Sequence, residues 1–481
     1  MKHLGVPAMM VVFFGIFLLQ GRNATGQEGP GSAPAGQAMD LGSAQNPLLG
    51  GIPQGKPTGE IMPLSLSEAL KRGLDYNLGA LLSAESVQAT QGARLSALSQ
   101  LLPHVTAGVL EMPQQVNLAA LGFPGGFNGI PSVVGPFNVF DVRAYVSQKV
   151  LDFSALRQYR AAKENLRAVQ YSNNDTRDLV VFVCANLYLQ ALASDSRIEA
   201  TRAQVNTAQV LYNLAFDQKT AGVVPGIEVL RAQVELQAQQ QRLIVAEDQF
   251  AKDKLALARA IGLPLGQQYR LADTMSYTPI AGLSLDESVE RAYKERPDYQ
   301  STQARVRAAE SERKAAQAGN LPTVDFSADY GDIGQKPWES HGTFTVTTSL
   351  RFPIFQGESV RGRVMEALAA LRQRQAELED LRGRIYYDIQ NAFLDLKAAA
   401  DRVEVSQSAI KLANEQVQQS QDRFRAGVTN NVEVVQAQEA LATASENYIS
   451  SLQAHSAAKL ALAKAMGITE TAYEQFLRGK R

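Results

Sequence analysis

From residue 358 to residue 425 the chain contains no proline, and its only glycines, Gly362 and Gly383, fall in the first half of the stretch. Ala, Leu, Gln, Glu and Arg dominate it, with apolar residues three and four apart, a pattern that predicts one helix. At a rise of 1.5 Å per residue, roughly 65 residues make a rod on the order of 100 Å long. An average globular helix has only about 11–12 residues. A rod of this length cannot bury its apolar side in a small globule, so it requires coiled-coil-like neighbours along its whole length. A second stretch of the same kind runs from about 154 to 220.

The two rods belong to two copies of one unit. "QKTAGVVPGIEVLRAQVEL" (Gln218–Leu236) aligns without a gap on "RFRAGVTNNVEVVQAQEAL" (Arg423–Leu441). Gly222 then lies over Gly427, 205 residues apart, Val223 over Val428, and Glu228 over Glu433. "KLALARAIG" (Lys254–Gly262) lies over "KLALAKAMG" (Lys459–Gly467) at the same spacing. "LSLSEAL" (Leu64–Leu70) and "LSLDESV" (Leu283–Val289) open the copies, and Leu102-Pro103 and Leu321-Pro322 follow. The front spacing is 219, because the first copy carries extra residues between about 110 and 137. The order in each copy is a helical stretch (64–102; 283–320), two strands, the rod, a glycine turn and a last helix (227–262; 432–467). Each last helix follows a tight turn, so it can run back antiparallel along its rod.

The strands alternate. Phe140, Val142, Ala144 and Val146 interleave with Asp141, Arg143, Tyr145 and Ser147, and Phe344, Val346, Leu350 and Phe352 with Thr343, Thr345, Thr347 and Ser349. Val105–Leu110 and Val324–Tyr330 precede them. Strands apolar on one face and polar on the other suit a transmembrane barrel with a wet interior, although a soluble two-hairpin sheet packed on helices fits the same pattern. Four strands cannot close a barrel, and lipid does not tolerate open edges, so several chains must share one. Eight strands leave an interior filled by side chains, so a conduit favours three chains or more.

The expected organisation is a signal peptide at 1–26, a flexible Gly/Pro/Ala/Gln-rich segment at 27–60 and a first repeat at 61–270 with strands about 104–110 and 138–150. A second repeat follows at 271–470, with strands about 323–330 and 343–353, and then a tail at 471–481. The signal reading rests on Lys2 and His3, the short apolar run Met9–Leu19 and the small-x-small triplet Ala24-Thr25-Gly26. The one cysteine, Cys184, excludes an internal disulfide and sits in an apolar helical run as a core residue. The insert Glu111–Phe137 reads as an extracellular loop, or else as a plug over a barrel mouth. Tyr330 and Trp338 suit either an interfacial aromatic belt or ordinary packing.

A formal net charge of −1 gives no reason to expect nucleic acid. His104, His341 and His455 are scattered, no P-loop, GxGxxG or nucleophile elbow occurs, and neither a catalytic set nor a cofactor or metal site is expected.

The ordered set of these motifs, twice over, resembles the TolC family of outer-membrane efflux channels across roughly residues 60–470. "SQKVLDF" and "RFPIFQG", where a strand returns to helix, belong to the same pattern. The resemblance implies a mainly α fold with transmembrane β: a long antiparallel α-helical barrel joined to a twelve-stranded β-barrel shared by a homotrimer, four strands per chain, two internal repeats. It implies an outer-membrane site with the tunnel projecting into the periplasm, and an exit duct for tripartite efflux or type I secretion. Its partners would be outer-membrane lipid, a periplasmic adaptor and an inner-membrane transporter. A non-conducting periplasmic coiled-coil or adaptor protein is the competing expectation.

Within that resemblance, Gly222, Val223, Gly427 and Val428 form adaptor-docking hairpin tips, and Glu228, Arg231, Glu433 and Gln436 line the inner constriction. The glycines are also expected as helix C-caps, and the glutamates as first-turn acids favourable to the helix dipole. The family commonly has Asp where Glu228 and Glu433 stand, and an acidic residue where Gln436 stands. Arg231 and Gln436 therefore weaken the case for a double acidic ring.

Overall fold

The computed structural model describes residues 46–122, 129–280 and 282–478. The expected signal peptide lies outside them. In chain order the elements are β1 (Met62–Leu64), α1 (Leu66–Tyr76), α2 (Leu78–Ser99), β2 (His104–Asn117), β3 (Val133–Leu151), α3 (Phe153–Thr220) and α4 (Gly226–Ala260). They continue with β4 (Tyr269–Leu271), α5 (Leu285–Glu295), α6 (Pro297–Gln317), β5 (Thr323–Gly334), β6 (His341–Arg351), α7 (Ser359–Arg425), α8 (Asn431–Met466) and α9 (Thr469–Arg478). The rods α3 and α7 are continuous over 68 and 67 residues, about 100 Å each.

Helix packing follows from that length. In the half nearer the strands the neighbours run α2–α3–α6–α7, and in the half nearer the glycine turns they run α4–α3–α8–α7. Alanine carries much of the close approach: Ala185, Ala191, Ala193, Ala215, Ala304, Ala437 and Ala463 are fully buried. The largest core lies midway along the rods, where Leu64, Leu70, Val180, Cys184, Tyr188, Leu257, Ile261 and Leu460 meet. A second gathers Ile385, Ile389, Leu462, Met466 and Phe476. α3 holds an apolar window long enough to cross a bilayer, but most of it is buried in this packing.

Three expectations about the helical part change. The opening helical stretches do not run through. α1 stops at Asn77, whose side chain caps α2 by accepting the Gly79 N–H at 2.9 Å while its amide donates to the carbonyls of Leu48 (2.7 Å) and Ala260 (3.0 Å). At the aligned position Arg296 ends α5 before Pro297, and its guanidinium donates to the Ala465 carbonyl at 3.1 Å. Ala260 and Ala465 are themselves aligned, so two different side chains hold matching helix ends. The lead-in is docked from Asn46 onward: Gly50 and Ile52 bond the backbone around Asn77, and β1 pairs in parallel with β4. Thr469–Arg478 form the amphipathic helix α9, which buries Ala472 and Phe476.

The main sheet has the order β2-β3-β5-β6, all antiparallel, with β2 and β6 as open edges. Register lines up Ala107, Ala144, Tyr330 and Phe344 in one row of the apolar face, and Thr106, Tyr145, Asp329 and Thr345 in a neighbouring row of the polar face. Phe344 (74%), Val109 (71%) and Val105 (68%) leave the apolar face open to its surroundings. The insert after Leu110 is less a loop than expected. Glu111–Asn117 and Val133–Phe137 lengthen the first hairpin, whose pairing runs to Asn117–Val133 with a bulge between Gln114 and Val116.

Candidate functional site

The far ends of the rods form two tight hairpins. Each rod ends in the same cap. Gly222 (φ 74°) and Gly427 (φ 71°) take the left-handed conformation that glycine adopts without strain. Their N–H groups donate to Lys219 and Phe424, both at 3.0 Å. The following Val223 and Val428 N–H groups reach back to Gln218 (2.8 Å) and Arg423 (3.0 Å), the double closure of a Schellman motif. Val223 and Val428 are 65% and 70% exposed at the apices. The exits differ: Asn430 caps α8 through the Val432 N–H at 3.2 Å, whereas Pro225, the residue before α4, supplies no side-chain cap.

The aligned carboxylates have different surroundings. Glu228 is buried. One oxygen accepts from Arg231 at 2.7 Å and the other from the backbone N–H of Asn431 at 3.2 Å, so it spans from the first hairpin to the first residue of α8. Its charge complements the positive end of α8's helix dipole. Glu433 keeps 39% of its side chain exposed, is paired with Arg423 at 3.4 Å and accepts the Thr429 hydroxyl. Arg231 and Gln436 line one apolar groove of about 400 Å³ between α4 and α8, with Ile227, Leu230, Val234 and Val432. Behind it Leu211, Phe424 and Val434 pack the hairpins together.

The eight residues expected from sequence therefore sit at one end of the molecule. Asn431, Arg423 and Thr429 lie outside the expected set. Arg423 could have been found from its place one turn before Gly427, but nothing local marks Asn431 as the partner of a residue 203 positions away. Among the described residues no cluster of His, Cys, Asp and Glu has the arrangement of a metal site.

The family profile described as "Outer membrane efflux protein" matches residues 134–263 and 289–468. The chain belongs to that family. It is 25% identical over 419 residues to the pyoverdine export outer membrane protein OpmQ of Pseudomonas aeruginosa, covering 84% of this chain and 85% of the relative. It is 22% identical over 418 residues to the toluene efflux pump outer membrane protein TtgC of Pseudomonas putida, covering 84% and 83%. Two solved structures share the fold. The Campylobacter jejuni CmeC outer membrane channel aligns with a TM-score of 0.74 at 15% identity, covering 91% of this chain and 96% of that one. The Vibrio cholerae outer membrane protein VceC aligns at 0.72 and 16%, covering 84% and 96%. The protein is thus an outer-membrane efflux channel of TolC-like fold, and its long helices are those of an α-helical barrel.

Proposed function

We propose that three copies of this outer-membrane efflux channel close one ring and form the passive exit duct of a tripartite efflux pump or type I secretion system. The observation that carries the reading is the four-stranded sheet with two open edges, β2 and β6, and an exposed apolar face. A bilayer does not admit such edges, so β6 of one copy pairs with β2 of the next. Three copies give twelve strands, enough to leave a lumen.

The helical part supports the same head-to-tail closure. α7 forms one edge of the helix layer and α2 with α4 form the other. Both edges expose large apolar side chains, Leu394, Val405 and Leu412 on α7 and Val234, Ile244 and Val245 on α4. Two different edges make a heterologous contact, which generates a ring when the rotation between copies closes. The tunnel then projects into the periplasm and presents Gly222, Val223, Gly427 and Val428 to an adaptor and its inner-membrane transporter. Glu433 and Gln436 line the inner mouth, and Glu228 and Arg231 hold it together. Selection of cargo rests with the transporter.

Thiol cross-linking tests the ring. Thr106→Cys on β2 and Thr345→Cys on β6 place thiols on opposite open edges, and Cys184 is buried and silent. A short bifunctional thiol reagent should give a ladder that stops at three chains, in a preparation that conducts in a planar bilayer. A product confined to single chains, or a protein that never conducts, would refute the duct.

A further inference from the structure

The polar face of the sheet carries a mixed charge cluster that the duct reading leaves without a role. Arg143 on β3 stands opposite Gly331 on β5, which stands opposite Thr343 on β6. The Arg143 guanidinium lies across that row. Its Nε meets both oxygens of Asp141 at 3.3 Å, its Nη2 donates to Thr343 Oγ1 at 2.9 Å, and its Nη1 pairs with Asp329. Gly331 makes the crossing possible: a Cβ there would lie 2.5 Å from the Val142 carbonyl and 2.8 Å from Arg143 Cα and Cβ. The three charged side chains are largely covered, with 12%, 16% and 20% exposure for Arg143, Asp141 and Asp329.

One guanidinium against two carboxylates leaves one net negative charge per chain at this level. The Lys and Arg residues elsewhere on this face, Lys149 and Arg351, both stand at the helix end of the sheet, Lys149 opposite Asp325 and Arg351 opposite Thr323. The Arg143 row is the third pairing in from the β5–β6 turn, whose end pair is Ile333–His341. The unbalanced charge therefore sits near the outer end of the four-stranded region, about 100 Å or more from the helix tips. Charge held on a low-dielectric wall around a narrow lumen concentrates counter-ions.

We propose that Asp141, Arg143 and Asp329 form a charge belt inside the barrel, a second selectivity element that favours small cations over anions independently of the helix tips. The inference rests on the reading that the polar face lines the shared lumen. Arg143 sets the sign and size of the belt: it compensates one carboxylate, and Thr343 and Gly331 fix where it lies.

Reversal potentials in a KCl gradient, measured on the purified full chain in a planar bilayer, test it. Arg143→Gln should raise the potassium-over-chloride permeability ratio by about twofold or more, and Asp329→Asn should lower it by a similar factor. Arg143→Lys should hold the wild-type ratio. Should Arg143→Gln fail to assemble, Asp329→Asn alone still decides the sign. Thr345→Cys, in the Asp329 row, and Val346→Cys, on the other face, separate the belt from the lumen reading. If a charged impermeant thiol reagent blocks current at Thr345→Cys and not at Val346→Cys while the charge variants leave the ratio unmoved, the lumen stands and the belt is wrong. Absence of block at Thr345→Cys overturns the lumen assignment, and the belt with it.

Discussion

The Glu228 carboxylate accepts the backbone N–H of Asn431 at 3.2 Å, joining the two tip hairpins across 203 residues of chain. Its aligned partner Glu433 pairs within its own hairpin and stays part-exposed beside Arg423. One carboxylate works as a clasp and the other remains available as a charge at the hairpin tips.

The clasp and the charge should separate by mutation. Glu228→Ala removes a helix-end acceptor contributing about 1 kcal/mol. With the two hairpins unlinked, single-channel conductance should rise, with ion preference little changed. Glu433→Gln should do the reverse, lowering cation preference while conductance stays near wild type. Recordings in which Glu228→Ala alters only selectivity would reverse the two roles.

Glycine substitutions should rank by surroundings. Gly427 has φ 71° and nothing within 4 Å of a would-be Cβ. Gly427→Ala therefore costs only backbone strain of about 1–2 kcal/mol. Gly467 has the same φ, but its Cβ would stand 2.6 Å from Arg296 Cα. Gly467→Ala should cost about 1–3 kcal/mol more. Thermal unfolding in detergent should place Gly467→Ala clearly below Gly427→Ala, and equal midpoints would contradict the close approach of α5 to the end of α8.

Tyr188 is fully buried, and its hydroxyl lies 2.9 Å from the Leu64 carbonyl and 2.8 Å from Asp273 Oδ2, which also accepts the Leu66 N–H at 2.8 Å. Tyr188→Phe keeps the ring and removes one donor from the Leu64 carbonyl, which still accepts the Ala272 N–H, and one from part-buried Asp273, at about 1 kcal/mol. The loss should appear as a lower unfolding midpoint with assembly and conductance retained. An unchanged midpoint would show that the hydroxyl contributes nothing to this junction.

Asp178 anchors α9 by accepting the Glu470 N–H at 2.7 Å. Burial, helped by the charges of Glu470 and Asp175, outweighs that hydrogen bond and raises its pKa from 3.8 to about 6. The folded state then holds this proton more tightly than the unfolded one. Asp178 therefore favours folding below about pH 4, and that contribution is lost as pH rises toward 6, up to about 3 kcal/mol. Buried His455, lowered to about 4, acts oppositely: its contribution is present above the ordinary histidine range and is lost as pH falls. Comparing Asp178→Asn with wild type cancels the histidine. The midpoint of Asp178→Asn minus that of wild type should grow by about 2–4 °C between pH 4 and pH 7. A pH-independent difference would rule out the raised carboxyl.

Much of the helical part is legible in the sequence because its signals are local. Absence of proline over 358–425, apolar spacing and a glycine at each end predict rods ending near 220 and 425, and α3 and α7 end at Thr220 and Arg425. The alternation around Phe140–Ser147 and Thr343–Phe352 likewise marks where β3 and β6 lie. Less legible are the ends and joints. The break at Asn77 depends on an amide that grips Leu48 and Ala260, and the docking of Gly50 and Ile52 depends on the backbone freed at that break. The hairpin past Leu110 is extended by pairing that its Gly/Pro-rich composition does not advertise.

The rods, the glycine caps, the strand faces and the family are all written in residues close together in the chain, or in their ordered recurrence, and so can be read before any fold is known. The burial of Glu228 where its aligned partner Glu433 stays part-exposed, and the reach of Arg143 over Gly331 to Asp329 and Thr343, arise only once distant segments have packed. Aligned residues share local backbone but not neighbours. What a charge does depends on the groups that desolvate and pair it, and here those groups come from segments about 200 residues away.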